Sequence, residues 1–269
     1  MPMNAKLHIQ VSKRNGITYL EHCYATPPFK VANITEDKMS EQLQLMMMSS
    51  SPGILDKDVY ELKISLDEGC NMQLHTQSYQ RLFRMQHGAK QSMEVQIKNG
   101  ASLVYLPHPA VPHAAAIFTS VNRIYLQQKS SLIWGEILTC GRQLKDEVFL
   151  FSKYHNITEV YINNRLVVKE NLLMQPSLFD VKAMGQLEGF THQASMLCIN
   201  ENDGLDETMN AVYEYLQLQN AIEFGISKTP CKGFIVRIHG YKAEQLHNCL
   251  NAIAGIVQAK QLAGSIINY

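Results

Sequence analysis

Residues 131–142 read S-L-I-W-G-E-I-L-T-C-G-R, a strand-like apolar run that contains a single carboxylate, Glu136. The run also holds the only tryptophan of the chain, Trp134, and it ends in Gly141 and Arg142. A charge within such a run is costly to bury unless it is paired or hydrogen-bonded. The stretch therefore predicts a strand with a polar interaction at Glu136, which serves either function or architecture.

The segments around this run show a two-residue alternation of apolar and polar side chains over most of the first two hundred residues. The alternating apolar positions are Leu7/Ile9/Val11, Tyr60/Leu62/Ile64/Leu66, Met72/Leu74, Met93/Val95/Ile97 and Leu103/Tyr105. Asn99-Gly100 and Asn163-Asn164 each predict a hairpin turn, because these residue types tolerate positive φ. Many short strands predict a mainly β body, with a sandwich, a barrel and a β-solenoid all left open.

The last seventy residues have a different pattern. Residues 205–219 and 243–261 each place apolar side chains on one helical face, and residues 233–240 read as a buried strand. We therefore expect one domain over residues 1–269. It has a mainly β body (1–200) and a small strand-helix-strand-helix α/β portion with two helices (201–269).

The composition excludes several classes of protein. Twenty-four basic and 24 acidic residues give a formal net charge of zero, so the chain lacks the basic excess of a general nucleic-acid binder. The absence of an apolar leader and of an 18-residue apolar run leads us to expect a cytoplasmic protein with no membrane partner. Six widely spaced cysteines predict free thiols rather than a disulfide framework.

The common nucleotide-binding, hydrolase and metalloprotease motifs are absent, which lowers the expectation of an enzyme. His108 and His113 flank a proline-rich bend, and we regard them as weak candidates for a metal site. The alternative is a rigid surface loop with two exposed histidines, which we favour. His75, His192 and His239 lie in strand-like settings, where single histidines are usually satisfied polar residues.

Several short pieces, in order, resemble the UreD family of urease accessory proteins, called UreH in Helicobacter. They are residues 26–30 (T-P-P-F-K), 51–58 (S-P-G-I-L-D-K-D), 72–83 (M-Q-L-H-T-Q-S-Y-Q-R-L-F), 106–109 (L-P-H-P), 134–137 with 141–142, and 184–192 (M-G-Q-L-E-G-F-T-H). The likeness runs from about residue 26 to residue 192, with a looser echo at 233–240. No single piece is diagnostic, whereas the ordered set is.

The resemblance implies an irregular, β-helix-like superhelical body with a helical part. It also implies a non-enzymatic scaffold for maturation of the nickel enzyme urease. Such a scaffold binds apo-urease and the accessory protein UreF, and through UreF the GTPase UreG. The resemblance further implies no tightly bound cofactor, with nickel only in transit through a polar interior.

The family motifs map onto particular residues of this chain. A Pro-Gly-rich loop corresponds to Pro52, Gly53 and Asp58, although Ile54 and Lys57 stand where the family has further glycines. A second motif corresponds to residues 76–83, which include Thr76 and Arg81, and a third to Glu136, Ile137, Gly141 and Arg142. The resemblance thus makes Asp58, Thr76, Arg81, Glu136 and Arg142 candidate lining of a polar tunnel.

The third motif departs from the family in one respect, because the aromatic residue usually lies directly before the glutamate. Here Gly135 occupies that position and Trp134 lies one residue earlier. Side chains alternate along a strand, so Trp134 is expected to share the face of Glu136. Arg142 would share that face too, but about 20 Å away on an extended strand. Each charge then needs another partner, with Asp58 and Arg81 as candidates, or lines a wet interior.

A rival hypothesis comes from a different class of protein. The chain could be a metal-dependent enzyme or a small-ligand binder on a β-barrel or cupin-like fold. His108, His113 and Glu136 would then serve as metal ligands. Such a protein would retain its metal through dialysis, whereas a scaffold would co-purify with its partners.

Overall fold

The computed structural model describes residues 2–200 and 204–266, with side chains described through residue 261. The first strands are β1 (Asn4–Arg14), β2 (Ile17–Ala25), β3 (Phe29–Asn33), β4 (Gln42–Ser49), β5 (Val59–Leu66), β6 (Asn71–Thr76), β7 (Gln80–Leu82), β8 (Ala89–Ile97) and β9 (Ser102–Leu106). They are followed by β10 (Ala110–Pro112), β11 (Ile117–Leu126), β12 (Ser131–Thr139), β13 (Lys153–Ile162), β14 (Arg165–Met174), β15 (His192–Asn200), β16 (Ile222–Lys228) and β17 (Gly233–Gly240). The helices are α1 (Leu205–Gln217) and α2 (Ala243–Ile266), with a short 3-10 helix at Gln143–Lys145.

The strands form two open sheets. Sheet A has the order β14-β13-β11-β8-β5-β1-β2, and sheet B has the order β16-β17-β15-β12-β9-β6-β4-β3, with β7 and β10 beside it. Between β4 and β13 the chain passes repeatedly from one sheet to the other, and strands meet as parallel neighbours within each sheet. The prediction of a mainly β protein is confirmed, and the β-helix-like detail stays a prediction.

The main hydrophobic core lies between the two sheets. Alternate residues of β1 and β5, such as Leu7, Ile9, Leu62 and Ile64, are at most 2% exposed and belong to this core. This burial pattern agrees with the period-two alternation in the sequence, because successive side chains of a strand point to opposite faces. Sheet B is also covered on its outer face, where α1 and α2 build a second apolar cluster.

The second cluster explains the glycine in the middle of β12. Gly135 lies on the outer face of sheet B, where α2 packs closely. A Cβ atom at this position would lie 2.8 Å from Cδ2 of Leu106 and 3.0 Å from Cδ1 of Leu250. An aromatic side chain therefore does not fit at position 135, whereas position 134 faces the space between the sheets.

One of the two predicted hairpins is wrong. Asn163-Asn164 does connect the antiparallel pair β13 and β14, with φ values of 49° and 63°. Asn99-Gly100 instead passes the chain from β8 in sheet A to β9 in sheet B. The turn fixes only the local backbone, with φ of 67° at Gly100, and both sides of β8 are already paired with β5 and β11.

The helical predictions hold with small shifts in their ends. The predicted face of α2, with Leu246, Leu250, Ile253 and Val257, is at most 3% exposed. In α1, Tyr213 is 48% exposed and packs edge-on against Phe224. No helix in the described part of the chain is both long and apolar enough to cross a membrane.

Candidate functional site

A cavity of about 260 Å³ lies between the inner faces of the two sheets. Six aromatic rings from the two sheets line its inner part. These rings are Phe29, Tyr60, Tyr105, Phe118, Trp134 and Tyr154. A smaller polar set, Ser120, Asn122, Glu136 and Asn156, lies within this apolar wall. The cavity thus combines an apolar enclosure with a few convergent polar groups, as ligand sites commonly do.

The cavity opens to solvent where its lining residues are exposed, at Pro52, Tyr79 and Arg81. Gly53 lies at this opening against β7, and a Cβ on it would come within 2.4 Å of the carbonyl oxygen of Arg81. Thr76 also lines the cavity. The structure therefore brings parts of all three family motifs around one cavity, including Glu136 of the third.

Glu136 accepts four hydrogen bonds inside this cavity. Its Oε1 accepts from Trp134 Nε1 at 2.7 Å, from Thr158 Oγ1 at 2.7 Å and from Asn122 Nδ2 at 3.3 Å. Its Oε2 accepts from Asn156 Nδ2 at 2.6 Å. The indole contact shows that Trp134 and Glu136 share one face, as the spacing predicts.

All four donors to Glu136 are neutral. Asn122, Asn156 and Thr158 are buried on the inner face of sheet A, and Asn122 Nδ2 also contacts Asn156 Oδ1 and Thr158 Oγ1. Within residues 2–200 and 204–261, Glu136 forms no ion pair with a lysine, arginine or histidine. An ionised Glu136 is therefore solvated by the protein but not neutralised by it.

The charge of Glu136 affects two tyrosines of the cavity wall. Burial, and after it the negative charge of Glu136, raises the pKa of Tyr105. The same two causes, in the same order, raise the pKa of Tyr154. Both phenols therefore stay neutral at physiological pH.

A second, smaller cavity of about 30 Å³ lies on the other side of Glu136. Glu136, Tyr154 and Asn156 line both cavities, whereas Glu170 and Ser195 line the small one alone. Glu136 therefore lies at the junction between the large cavity and a smaller space that reaches β14 and β15.

Arg142 lines neither the large cavity nor the small one. Strand β12 ends at Thr139, and Gly141 then adopts φ of 118° where a Cβ would lie 2.6 Å from the carbonyl oxygen of Glu147. Arg142 consequently pairs with Glu147, with Nε donating to Oε2 at 2.8 Å. Neither Asp58 nor Arg81, the candidates from the sequence, provides its partner.

Asp58 is 1% exposed, and its carboxylate accepts hydrogen bonds from two backbone amides. Its Oδ1 accepts from the amide of Met3 at 2.9 Å, and its Oδ2 accepts from the amide of Leu55 at 2.8 Å. These bonds tie the start of β1 to the loop before β5. Asp58 is not part of the cavity lining, whereas its neighbour Tyr60 is.

The two candidate histidines have different surroundings. His108 lines the large cavity, where its amide donates to Thr76 Oγ1 at 2.8 Å and its ring stacks on His247 at a centroid distance of 4.7 Å. His113 is 6% exposed and packs against Phe83. Burial first, and then the positive charge of Arg142, lowers the pKa of His113. His113 is therefore buried, contrary to the surface-loop expectation.

The residues 2–200 and 204–261 contain no cluster of three or more His, Cys, Asp or Glu side chains arranged to hold a metal ion. All six cysteines lie in this part of the chain and are free thiols. His75 and His247 lie close enough to His108 to interact electrostatically. Burial, and after it the charge of His108, lowers the pKa of both rings.

Sequence reasoning identified Glu136 but missed its partners. Asn156 and Thr158 occupy inward positions of β13, between the buried Tyr154 and Val160, so their signal is polar residues in phase with an apolar face. Asn122 has the same relation to Phe118 and Ile124 in β11. That these positions converge on Glu136 depends on the pairing of strands far apart in the sequence.

Comparison with known proteins agrees with these observations. The sequence model of the UreD urease accessory protein family matches residues 3–266. Urease accessory protein UreD of Flavobacterium johnsoniae is 46% identical over 249 residues, covering 92% of this chain and 90% of that protein. The UreD of Acetivibrio thermocellus is 34% identical and covers 94% and 97%, and that of Haemophilus influenzae is 32% identical and covers 96% and 100%. The chain belongs to the UreD family of urease accessory proteins.

Proposed function

We propose that this protein is a non-enzymatic factor in urease maturation. Its membership of the UreD family supports this role. In this proposal it acts as a scaffold that binds apo-urease and a UreF-like protein, and through the latter a UreG-like GTPase. Nucleic acid and membrane are not partners in this proposal, and the cytoplasm is its expected location.

Nickel is the cargo in this proposal, not a resident cofactor. The observation that supports it is the Glu136 carboxylate, which lies at the junction of two cavities with four neutral donors and no described cation partner. A negative charge in a site of reduced dielectric attracts cations more strongly than one in bulk water. Stable metal sites hold three or four protein ligands, whereas a cargo ion in transit needs only brief contact with one or two.

The remaining candidate residues have more limited roles in this proposal. Thr76 positions His108 at the wall of the large cavity, and Arg81 lies at its opening. Asp58 and Arg142 stabilise the surrounding loops through Met3, Leu55 and Glu147. Glu136 is therefore the residue whose charge is tested first.

The variant Glu136→Gln keeps the size of the side chain and removes its charge. We expect it to assemble with the urease and accessory subunits on size-exclusion chromatography, and to slow urease activation in a co-expression assay. Glu159→Gln is the matched control, because Glu159 lies on the outer face of β13, in the opposite sheet, and pairs with Arg123 and Lys169. Loss of assembly in Glu136→Gln alone would show that the carboxylate is structural, and unchanged activation would exclude its role in nickel transfer.

The rival function is a metal-dependent enzyme or small-ligand binder with His108, His113 and Glu136 as metal ligands. His108 and Glu136 line the same cavity, whereas His113 packs against Phe83 and is not part of that lining. Both sheets are also open along the described strands. Metal analysis of the dialysed protein separates the two functions, because only the rival requires a retained stoichiometric metal.

A further inference from the structure

A row of polar side chains crosses sheet A at the level of Glu136. Asn122 on β11 pairs in register with Thr158 on β13, and Thr158 pairs with Glu170 on β14. The three residues share the inner face, because Phe118, Val160 and Val168, at even spacing along the same strands, belong to the core between the sheets. The row ends at Glu170, on the edge strand of sheet A.

A matching row crosses sheet B. Glu136 on β12 pairs in register with Ser195 on β15, and Ser195 pairs with Arg237 on β17. Their neighbours Trp134, Leu197 and Ile235 belong to the same inner core, so these polar residues face sheet A. Two polar rows thus run across the apolar core from the Glu136 cluster to one side of the molecule.

Part of the space between the two rows is the small cavity of about 30 Å³. Glu136 lines it at one end and Glu170 lines it too, together with Ser195 and Gln193. A space of this size holds about one water molecule, for which the polar lining groups of Glu136, Glu170, Gln193 and Ser195 are available partners. The polar interior therefore continues beyond Glu136 towards Glu170.

An ion pair lies at the Glu170 end of this space. Arg237 Nη2 donates to Glu170 Oε2 at 2.6 Å, which joins β17 of sheet B to β14 of sheet A. The two side chains are 48% and 27% exposed. Arg237 is the one charged residue of β17, whose other residues are buried or half-buried. Exposed ion pairs of this kind are weak, so the contact can break without unfolding.

We propose that the Glu170–Arg237 ion pair is a gate over a second opening of the polar interior. This inference rests on the proposed function, in which a small hydrated cation moves past Glu136. With the pair closed, Arg237 both covers the opening and neutralises Glu170. With the pair broken, Glu170 becomes a second carboxylate without a cationic partner, beyond Glu136, and offers a cation its next contact.

Cysteine accessibility tests the gate without urease or nickel, so its outcome does not depend on the Glu136→Gln experiment. Ser195→Cys places a thiol in the small cavity. A small thiosulfonate reagent then modifies it, and tandem mass spectrometry locates the label. We expect Arg237→Gln to accelerate this labelling about two- to fivefold, the range that follows from the strength of an exposed ion pair.

The native Cys198 is an internal control, because it is 2% exposed on the outer face of the same strand. Acceleration at position 195 alone supports the gate. Acceleration at both positions shows general loosening of β15 and overturns it, as does an unchanged rate at position 195. A second measurement uses the Ser195→Cys protein with Arg237 intact. High salt screens the ion pair, so we expect it to accelerate labelling of position 195 in this protein. The acceleration by salt should be smaller when Arg237→Gln is also present.

Discussion

Trp134 donates its indole N–H to Glu136, two residues further along β12, across a distance of 2.7 Å. The contact is possible because residues i and i+2 of a strand point to the same side. An aromatic residue directly before the glutamate would instead point towards α2, where Gly135 leaves space for Leu250. The position of the tryptophan and the presence of the glycine therefore have one common explanation.

Removing the indole donor should destabilise the fold. In Trp134→Phe, Glu136 loses a bond to a partly buried charged acceptor, and we expect a loss of about 1–3 kcal/mol in the free energy of unfolding. Urea denaturation measures this loss. Tyr105→Phe is the control, because it keeps the ring that packs against Trp134 and leaves the bonds to Glu136 intact. An equal loss in both variants would contradict the assignment to the indole donor, because Tyr105→Phe removes no bond to Glu136.

Removing the Asp58 carboxylate should be among the more destabilising changes outside the cavity. Asp58→Ala leaves the amides of Met3 and Leu55 without their acceptor, and we expect a loss of about 2–4 kcal/mol. Thermal denaturation measures it.

Burial, and after it the charge of Asp58, raises the pKa of Tyr60 to about 12. Asp58→Asn should therefore lower the pKa of Tyr60 in an ultraviolet titration, and an unchanged value would place the whole effect in burial.

The Arg142–Glu147 pair should stabilise the protein only above a defined pH. The hydrogen bond from Arg142 lowers the pKa of Glu147 from its ordinary value near 4.5 to about 2. The unfolded chain therefore binds a proton more readily, and the contribution is complete above about pH 4.5 and declines towards pH 2. Glu147→Gln should flatten the loss of stability across this window. Glu41→Gln, at an exposed carboxylate 3.9 Å from Lys13, should leave the slope unchanged.

His192 should make the fold sensitive to mild acid. Burial lowers the pKa of this ring from about 6.5 to about 4, so the unfolded chain binds the proton more readily. Stability is complete above about pH 6.5 and falls by up to about 3 kcal/mol as the pH approaches 4. His192→Gln should reduce the slope of the free energy of unfolding against pH, and His22→Gln, at an exposed site, should not. Equal slopes in both variants would contradict the assignment to His192.

The sequence predicted the strands well, because burial of one face imposes a period of two on Leu7, Ile9 and Val11. It predicted α2 equally well from the spacing of Leu246, Leu250 and Ile253. It did not predict which strands pair. The turn at Asn99-Gly100 has the residues of a hairpin, but the strand before it, β8, pairs with β5 and β11 instead of with the strand that follows the turn. Such pairing depends on strands that are distant in the sequence.

The candidate site, like the fold, was predictable from the sequence only in part. Glu136 was identifiable because a carboxylate in an apolar strand requires a partner. Its partners Asn122, Asn156 and Thr158 were not, because they approach from the opposite sheet. The partner of Arg142 was missed for a different reason. Gly141 ends the strand by its positive φ, so the expected alternation stops before Arg142 is reached.

The indole of Trp134 also makes the protein its own optical reporter. It is the only tryptophan of the chain, it is 2% exposed, and its N–H is bonded to the carboxylate at the junction of the two cavities. Tryptophan fluorescence, excited selectively over that of the 12 tyrosines, therefore comes from this one place. A cation, a ligand or a partner that disturbs Glu136 changes the colour or intensity of the emission, so binding events in the interior can be followed in the unlabelled protein.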